Sequence, residues 1–206
     1  MNNCTVTPLF SIPIYSSEVF LQNELSILKT LEFADKDDYG TAITNNNNIL
    51  SLPEFSEIKR QIDGHVEAYV RAVLCINKLQ SFHMVRSWGV IVGNGAKAQV
   101  HRHGNSIISG VFYLSATNDS GALKLHRGGD SLFPATLEFD FDEYNEFNSD
   151  RWSFTPSPGL LYLFPSHIKH EVEQNNSNER RYSIAFDYWT RGAFGSSNDI
   201  NKLYLK

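Results

Sequence analysis

The pattern of apolar and polar positions divides the chain into a helical first part and a strand-rich second part. In residues 17–33, Leu21, Leu25, Leu28 and Leu31 recur at helical spacing. Residues at this spacing share one face of an α-helix, so the pattern predicts an amphipathic helix.

A stronger helical pattern covers residues 52–74. Its continuous apolar face, which we expect to pack on a sheet, consists of Phe55, Ile58, Ile62, Val66, Tyr69, Val70 and Val73. Residues 6–15 indicate an edge strand, because Pro8 and Pro13 lack the backbone donor that an inner strand needs. The polar, asparagine-rich residues 35–48 predict a loop, in which the run Asn45 to Asn48 is expected to be flexible.

From residue 82 onward, short runs rich in Val, Ile, Phe, Tyr and Trp are separated by Gly, Asn and Ser. This alternation predicts a barrel or jelly roll. The fold class is therefore mainly β with flanking helices (α+β), and the N-terminal helices pack against the β core. We expect one domain, residues 1–206, with an N-terminal strand and helices at about 5–75, the core at about 82–190 and a tail at 191–206.

Composition favours a packed globule, since 41% of the residues are hydrophobic and 13% are aromatic. No apolar run approaches the roughly 20 residues that cross a bilayer, and no signal peptide is visible, so we expect a cytoplasmic protein. Cys4 and Cys75 are too few for a disulfide framework, which fits a reducing interior.

The formal net charge of −5 indicates no general attraction for nucleic acid. A local basic groove near a site remains an alternative, and its candidates are Arg71, Lys78, Arg86, Lys97 and Arg102. Cations scattered over a solvated surface are the commoner arrangement. The oligomeric state is not indicated, although the edge strand at 5–15 is a candidate contact.

Two histidines stand close together in the run AKAQVHRHGNS. Alternation along a strand sends His101 and His103 to one side and Arg102 to the other, so both imidazoles can reach one metal ion. Redox-active Fe(II) needs such ligands on one face, with its other positions open. An H-x-H pair alone is weak evidence, because most histidines are structural polar residues.

A third ligand is expected from another strand. The run GLLYLFPSHIKHEVEQ predicts an apolar strand, a turn, and a second strand that begins at His170. Farther along, Arg181 and Ser183 share one strand face, whereas Arg180 points the other way. An arginine fork beside a hydroxyl is typical of a carboxylate clamp. Together these residues predict an iron site with an oxo-acid anchor.

The remaining histidines are weaker candidates for metal ligands. His167 is an alternative distal ligand, but the spacing to the arginine favours His170. His126 ends a strand, where it is either exposed or at the mouth of the site. His65 falls in a helix and His83 begins a strand, so both are expected to be structural.

These residues and their flanking text resemble the 2-oxoglutarate and iron(II)-dependent oxygenase superfamily, whose pattern is His-x-Asp/Glu, a distal His, then Arg-x-Ser. The stretches SWGVIVGNGAKAQVHRHGNSIISGVFYL and LLYLFPSHIKHEVEQNNSNERRYSIAFDYW resemble a bacterial and phage branch that carries His-x-His. They cover most of residues 86–189. The resemblance implies a double-stranded β-helix, which is a jelly roll of the cupin-like kind.

The resemblance also implies an activity and a set of site residues. The implied metal ligands and catalytic residues are His101, His103 and His170. The implied 2-oxoglutarate site consists of Arg181, Ser183 and Tyr113. The enzyme would be a dioxygenase that uses Fe(II), 2-oxoglutarate and dioxygen to hydroxylate an unidentified substrate, with release of succinate and carbon dioxide.

His103 departs from the superfamily pattern, because it stands where an acidic ligand is usual. Either it binds iron as a third neutral imidazole, or it does not bind and water or an anion takes its place. Asp119, Asp130 and Asp187 are conceivable substitute carboxylates, but none has the expected strand spacing.

Two other functions remain open. One is a three-histidine metal dioxygenase of cupin type that works without 2-oxoglutarate, which the pair Arg181 and Ser183 disfavours. The other is a non-catalytic metal- or ligand-binding barrel. The substrate is not indicated by the sequence.

Three features are expected to bear on the substrate. The long connection at residues 127–150 is either an irregular loop with an edge strand or a lid. In the lid hypothesis its aromatic residues close over the substrate, and these are Phe139, Phe141, Tyr144 and Phe147. Trp88 and Tyr162 are candidates to line the interior, although core packing is the default for both.

Overall fold

Strands make up most of the computed structural model, which describes residues 5–36, 40–128, 139–195 and 200–206. The strands are β1 (Tyr15–Glu18), β2 (Phe33–Asp35), β3 (Thr41–Thr44), β4 (Gln80–Val92), β5 (Ala98–His101), β6 (Ile108–Ser115), β7 (Leu123–His126), β8 (Arg151–Phe154), β9 (Leu160–Pro165), β10 (His170–Val172), β11 (Arg181–Phe194) and β12 (Leu203–Leu205). The helices are α1 (Glu24–Leu28) and α2 (Ser56–Ala68), with 3-10 turns at Ile49–Ser51 and Pro53–Phe55 and a π-helical turn at Tyr69–Val73.

The strands form two antiparallel sheets. In the described residues the larger sheet has the order β1-β9-β6-β11-β4-β3-β2, with β12 paired to β11, and the smaller one has the order β5-β10-β7-β8. The centre of the larger sheet is the ladder of β4, β11 and β6, whose strands are the longest in the described structure. The prediction of a mainly β fold with flanking helices is confirmed.

Alternation along these strands gives the larger sheet two different faces. One face packs against α2 in the main apolar core and contributes Ile108, Phe112, Leu114, Ile184, Phe186 and Tyr188. The other face is turned toward the smaller sheet, and from β11 it presents Arg181, Ser183, Ala185 and Asp187. The larger sheet therefore separates the helical core from a partly polar interior between the sheets.

The predicted helix at 52–74 is confirmed as α2 and its flanking turns. Val73 is the exception on its apolar face, since it is 47% exposed. The chain changes to π-helical geometry at Tyr69–Val73, which has more residues per turn than an α-helix and so carries Val73 off the buried face.

The predictions for the first 33 residues are only partly right. Helix α1 occupies Glu24–Leu28 rather than the whole of 17–33, because Tyr15–Glu18 pairs with β9 at the sheet edge. Pairing continues beyond that strand, where the Val19 amide donates to the Gly159 carbonyl at 2.8 Å. Backbone groups satisfied in a sheet outweigh the modest helix preference of these residues. The predicted edge strand at 6–15 reaches the ladder only at Tyr15.

The asparagine-rich segment is more ordered than expected from the sequence. Strand β3 lies within the predicted loop, just before the run that was expected to be flexible, and pairs with β4. The asparagines continue this contact, since the Ser87 amide donates to the Asn47 carbonyl at 2.8 Å. Residues 37–39 of this loop lie outside the described residues.

Within the described ranges, no helix has the length and apolar character that a membrane crossing requires.

Two glycine substitutions are expected to change the free energy of unfolding in opposite directions, which tests the packing. A Cβ on Gly110 would lie 2.3 Å from ring atoms of Phe186 and 2.8 Å from Leu163, so Gly110→Ala is expected to lower the free energy of unfolding by about 1–3 kcal/mol. Gly64 lies in α2 with no atom within 4 Å of an added Cβ. Gly64→Ala is therefore expected to raise the free energy of unfolding by about 0.5–1 kcal/mol. Urea denaturation of both variants checks this, and equal effects would contradict it.

Candidate active site

Three histidines converge between the two sheets. One ligand atom each of His101, His103 and His170 can be chosen so that all lie within 4.8 Å of one another. His101 ends β5 and is the direct cross-strand partner of His170, which begins β10. The structure therefore brings together the three histidines that the sequence singled out.

The position of His103 differs from the prediction in one respect. Strand β5 ends at His101, so the two histidines do not alternate along one strand. His103 follows in the connection to β6, where its amide donates to the Ser166 carbonyl at 3.2 Å. This bond holds the turn against the end of β9 and brings the ring within 5.5 Å of the His101 ring, measured between centroids.

Backbone carbonyls fix two of the imidazoles. The Nδ1 of His101 lies 2.7 Å from the Gln99 carbonyl oxygen, and the Nδ1 of His170 lies 3.0 Å from that of Ile168. A carbonyl only accepts, so each Nδ1 carries the proton and each Nε2 keeps its lone pair for a metal. Hydrogen bonds of this kind orient most metal-binding histidines.

A buried carboxylate fixes the third imidazole. The Nδ1 of His103 donates to Asp187 Oδ1 at 2.7 Å, which again leaves Nε2 as the free ligand atom. The same Oδ1 accepts from the Ser109 hydroxyl at 2.6 Å, and Arg86 donates to the other oxygen. Burial opposes ionisation of Asp187, but these three donors outweigh it and hold the pKa of the carboxyl below its usual range.

The two most buried imidazoles are neutral at physiological pH. Burial, followed by the charge of His101, lowers the pKa of His170 to about 3, and burial lowers that of His101 as well. Neutral imidazoles bind a metal without first releasing a proton. In their donor set and tautomers, the three histidines fit a divalent transition metal such as Fe(II).

The same cavity is lined by the residues from which the sequence predicted a carboxylate clamp. The cavity has a volume of about 450 Å³, and its lining includes the three histidines together with Arg181, Ser183 and Tyr113. Ser183 and Tyr113 are direct cross-strand neighbours on β11 and β6, and both are buried. The sequence predictions for these residues therefore agree with their placement.

The guanidinium of Arg181 is 2% exposed and only partly satisfied. Its Nη1 donates to the Gly121 carbonyl at 2.8 Å, whereas its buried Nε has no acceptor among the described residues. Its Cζ lies 5.6 Å from the centroid of the Tyr113 ring. A buried cation with an unmet donor is costly without a counter-ion, so this end of the cavity fits a carboxylate ligand.

Burial raises the pKa of Tyr113 to about 12. Its hydroxyl therefore stays protonated at physiological pH and can donate to an anion beside Arg181.

The other histidines lie outside this cluster, as expected. His167 is exposed. His126 ends its strand and pairs with Glu171 at 3.2 Å. His65 lies in α2 and His83 in β4, neither lining the cavity.

Of the three conceivable substitute carboxylates, the two in the described residues are not placed as ligands. Both oxygens of Asp187 are occupied by protein donors, so it supports His103 instead of binding the metal. Asp119 is exposed and does not line the cavity. Asp130 lies outside the described residues.

The proposed basic groove forms only in part. Arg86 and Arg102 line the cavity, whereas Lys78 and Lys97 do not. Arg71 does not line the cavity either, and its guanidinium instead donates to backbone carbonyls that follow α2. Arg102 is exposed at the cavity wall, although alternation predicted that it would point away from the site.

Of the two aromatic residues that were candidates to line the interior, one lines the cavity and the other does not. Trp88 lines the cavity, but Tyr162 packs between Tyr113 and Phe154 beneath it. In the connection at 127–150, residues 129–138 lie outside the described residues. Residues 139–147 contain no strand, and none of their aromatic side chains lines the histidine cavity, so the described structure gives the lid hypothesis no support.

A family model described as "Putative 2OG-Fe(II) oxygenase" matches residues 86–187, the segment that contains the histidines, Arg181 and Asp187. Residues 86–187 belong to the 2OG-Fe(II) oxygenase family. The predicted family and oxidoreductase class are thereby confirmed, and Fe(II) and 2-oxoglutarate are the cofactors after which the family is named. No curated protein sequence matches the chain.

Solved structures of similar fold agree with this assignment. HygX from Streptomyces hygroscopicus, with nickel, 2-oxoglutarate and hygromycin B bound, is 17% identical, with a TM-score of 0.60 over 86% of this chain and 82% of that one. A Pseudomonas putida prolyl-4-hydroxylase is 17% identical, with a TM-score of 0.57 over 89% and 96%. A 2OG-Fe(II) oxygenase family oxidoreductase from Burkholderia pseudomallei is 14% identical, with a TM-score of 0.56 over 80% and 75%. These likenesses confirm the predicted double-stranded β-helix.

The sequence did not identify Ser109 as part of the site, and it offered Arg86 only as a candidate for the basic groove, not as a partner of Asp187. Asp187 did carry a signal, since it shares the alternating face of β11 with Arg181 and Ser183. Its two neighbours follow only from the strand order, which places β4 and β6 on either side of β11.

We predict that the chain binds one divalent metal ion through the histidine cluster. His170→Gln should weaken Fe(II) binding by more than roughly 100-fold, because loss of a ligand exceeds the usual effect of a supporting residue. Anaerobic titration with Fe(II) measures this. His167→Gln is the matched control, since His167 is exposed on the same turn. Equal affinities for the two variants would contradict the site.

Proposed function

We propose that this chain is a 2-oxoglutarate- and Fe(II)-dependent dioxygenase that hydroxylates a substrate whose identity is open. The proposed metal ligands are His101, His103 and His170. The proposed 2-oxoglutarate site consists of Arg181, Ser183 and Tyr113. One observation carries the proposal: a buried guanidinium with an unmet donor shares a cavity with three imidazoles whose Nε2 atoms are free.

The histidines hold and orient the metal. A set of three protein ligands leaves further coordination positions for 2-oxoglutarate and dioxygen. When bound, Fe(II) and 2-oxoglutarate would activate dioxygen, so that one oxygen atom would enter succinate as carbon dioxide is released and the other would enter a C–H bond of the substrate. The contribution of the protein is to place these groups together and keep the imidazoles in the correct tautomer.

The clamp binds the end of 2-oxoglutarate that does not reach the metal. Arg181 offers charge-assisted hydrogen bonds to that carboxylate, and the buried hydroxyls of Ser183 and Tyr113 are placed to add neutral ones. A carboxylate there would satisfy the Nε donor that the protein leaves unpaired. The same clamp disfavours a cupin-type enzyme that works without an oxo-acid.

The walls between these two ends are largely apolar. Val90, Val92, Val111 and Phe164 line the cavity, so little water competes for the groups inside it. A low local dielectric strengthens the interaction of Arg181 with a bound carboxylate. Dioxygen and the primary substrate complete the proposed set of partners.

We further propose that the protein works inside the cell. Ferrous iron persists in a reducing compartment, and the exposed thiol of Cys75 is also stable there.

Removal of the clamp should abolish turnover. Arg181→Ala is expected to lower the affinity for 2-oxoglutarate by roughly 30-fold or more, because a charge-assisted pair contributes on the order of 2 kcal/mol. The assay is succinate formation under air, combined with anaerobic 2-oxoglutarate titration of the Fe(II)-loaded chain. Arg180→Ala is the control, since Arg180 is exposed on the same strand end. Unchanged succinate formation in Arg181→Ala would count against the proposal, and a wild type that binds both ligands without forming succinate would be a binding barrel.

A milder change tests the hydroxyl of Tyr113. Tyr113→Phe removes one neutral donor and should raise the KM for 2-oxoglutarate about fivefold, which corresponds to about 1 kcal/mol. Fe(II) affinity should stay at the wild-type value, because Tyr113 lies beside Arg181 and is not one of the proposed ligands. Steady-state kinetics with varied 2-oxoglutarate measures the effect. A change in metal affinity with no change in KM would contradict this role.

A further inference from the structure

His103 stands where the superfamily pattern has an acidic ligand. Three neutral imidazoles leave a bound metal one unit more positive than two imidazoles and a carboxylate. We propose that Asp187 replaces the missing carboxylate by acting through His103: it accepts a hydrogen bond from the His103 Nδ1–H, whose proton stays on the imidazole, and the pair serves as the electron-rich third ligand. The inference rests on the proposed function, since it requires that the histidines hold a metal.

The three histidines differ in what their Nδ1 atoms bond to. Those of His101 and His170 donate to backbone carbonyls, which are neutral. Only His103 in this cluster donates to a carboxylate, at 2.7 Å. An anionic acceptor draws the Nδ1 proton more strongly and thereby raises the electron density and basicity of Nε2. The charged acceptor therefore bonds to the ligand at the position where the superfamily pattern has an acidic residue.

The surroundings of Asp187 keep it ionised and fix its direction. It is completely buried, and its oxygens accept from His103, Ser109 and Arg86. The guanidinium of Arg86 donates a hydrogen bond to the carboxylate and so stabilises it by charge as well as by direction. With all three donors in place, Asp187 acts through His103 and is a positioning residue.

The sheet builds this arrangement from cross-strand neighbours. On β11, Asp187 stands opposite Arg86 of β4 on one side and opposite Ser109 of β6 on the other. Arg86 also donates to the Gly104 carbonyl at 2.7 Å, which ties down the turn that carries His103. Both members of the pair are therefore attached to the central ladder.

Arg86 offsets part of the charge of Asp187, so the effect at the metal does not come from a bare negative charge. The side chain of Arg86 is 34% exposed, whereas that of Asp187 is 0% exposed. Water screens the guanidinium more than the carboxylate. The hydrogen bond to His103 is short and buried, and it is the direct link between Asp187 and a ligand atom.

The test compares four chains: wild type, Asp187→Asn, His103→Asp and the double variant. In the wild-type background, Asp187→Asn removes the anionic acceptor and should weaken Fe(II) or Co(II) binding by roughly 10–100-fold in anaerobic titrations without 2-oxoglutarate. His103→Asp replaces the imidazole with a carboxylate ligand. It also removes the Nδ1–H donor that Asp187 accepts from in the wild type. In that background Asp187→Asn should have little effect on metal binding, because no imidazole is left at position 103 for Asp187 to polarise.

This loss of the effect in the His103→Asp background separates a role at the metal from a role in folding. A merely structural Asp187 would make the asparagine substitution equally harmful in both backgrounds, and that result would overturn the proposal. Unchanged metal affinity of Asp187→Asn would overturn it as well. The control is Asp63→Asn, since Asp63 accepts from the Tyr188 hydroxyl on the opposite face of β11 and should leave metal affinity unchanged.

A measurement on the wild type guards against variants that do not fold. In the Zn(II)-loaded chain, proton NMR should show the Nδ1–H of His103 farther downfield than those of His101 and His170, because its acceptor is charged. Three similar shifts would overturn the proposal. Failure of the proposed function gives a different result, in which the wild type binds no metal or forms no succinate.

Discussion

The site depends on the hydrogen bonds at the three Nδ1 atoms of its histidines. Each bond fixes a ring and its tautomer, so that three Nε2 lone pairs are available at one point between the sheets. Without these acceptors, each ring could rotate or protonate at the ligand atom. Two acceptors are part of the backbone near the ligands themselves, while Asp187 reaches His103 from the central ladder. The preorganisation of the site is thus a property of the fold.

The two-faced character of the larger sheet makes this possible. The face toward α2 contains Phe112, Ile184 and Phe186 in the apolar core, and the register of β4, β11 and β6 is held by that packing. Because side chains alternate, the same register places Arg181, Ser183 and Asp187 on the opposite face. The energy of the helical core therefore supports the positions of buried charged residues that would be unfavourable alone.

Much of this site could be predicted from the sequence because its main signals are local. The spacing of His101 and His103, and the alternation of Arg181 and Ser183, follow from short-range geometry. The partners of Asp187 could not, since Arg86 and Ser109 lie far apart in sequence and meet it only through strand order. Likewise, α1 is shorter than its leucine pattern because the residues before it complete a sheet edge, and Val73 is exposed because a π-helical turn interrupts the helical period.

The central claim is that the three imidazoles and the guanidinium of Arg181 bind one metal and one oxo-acid in a single cavity. A crystal structure grown without oxygen in the presence of Fe(II) and 2-oxoglutarate tests it most directly. We expect the Nε2 atoms of His101, His103 and His170 to coordinate the iron, with the far carboxylate of 2-oxoglutarate on Arg181. Iron bound elsewhere, or an oxo-acid that does not contact Arg181, would contradict the account.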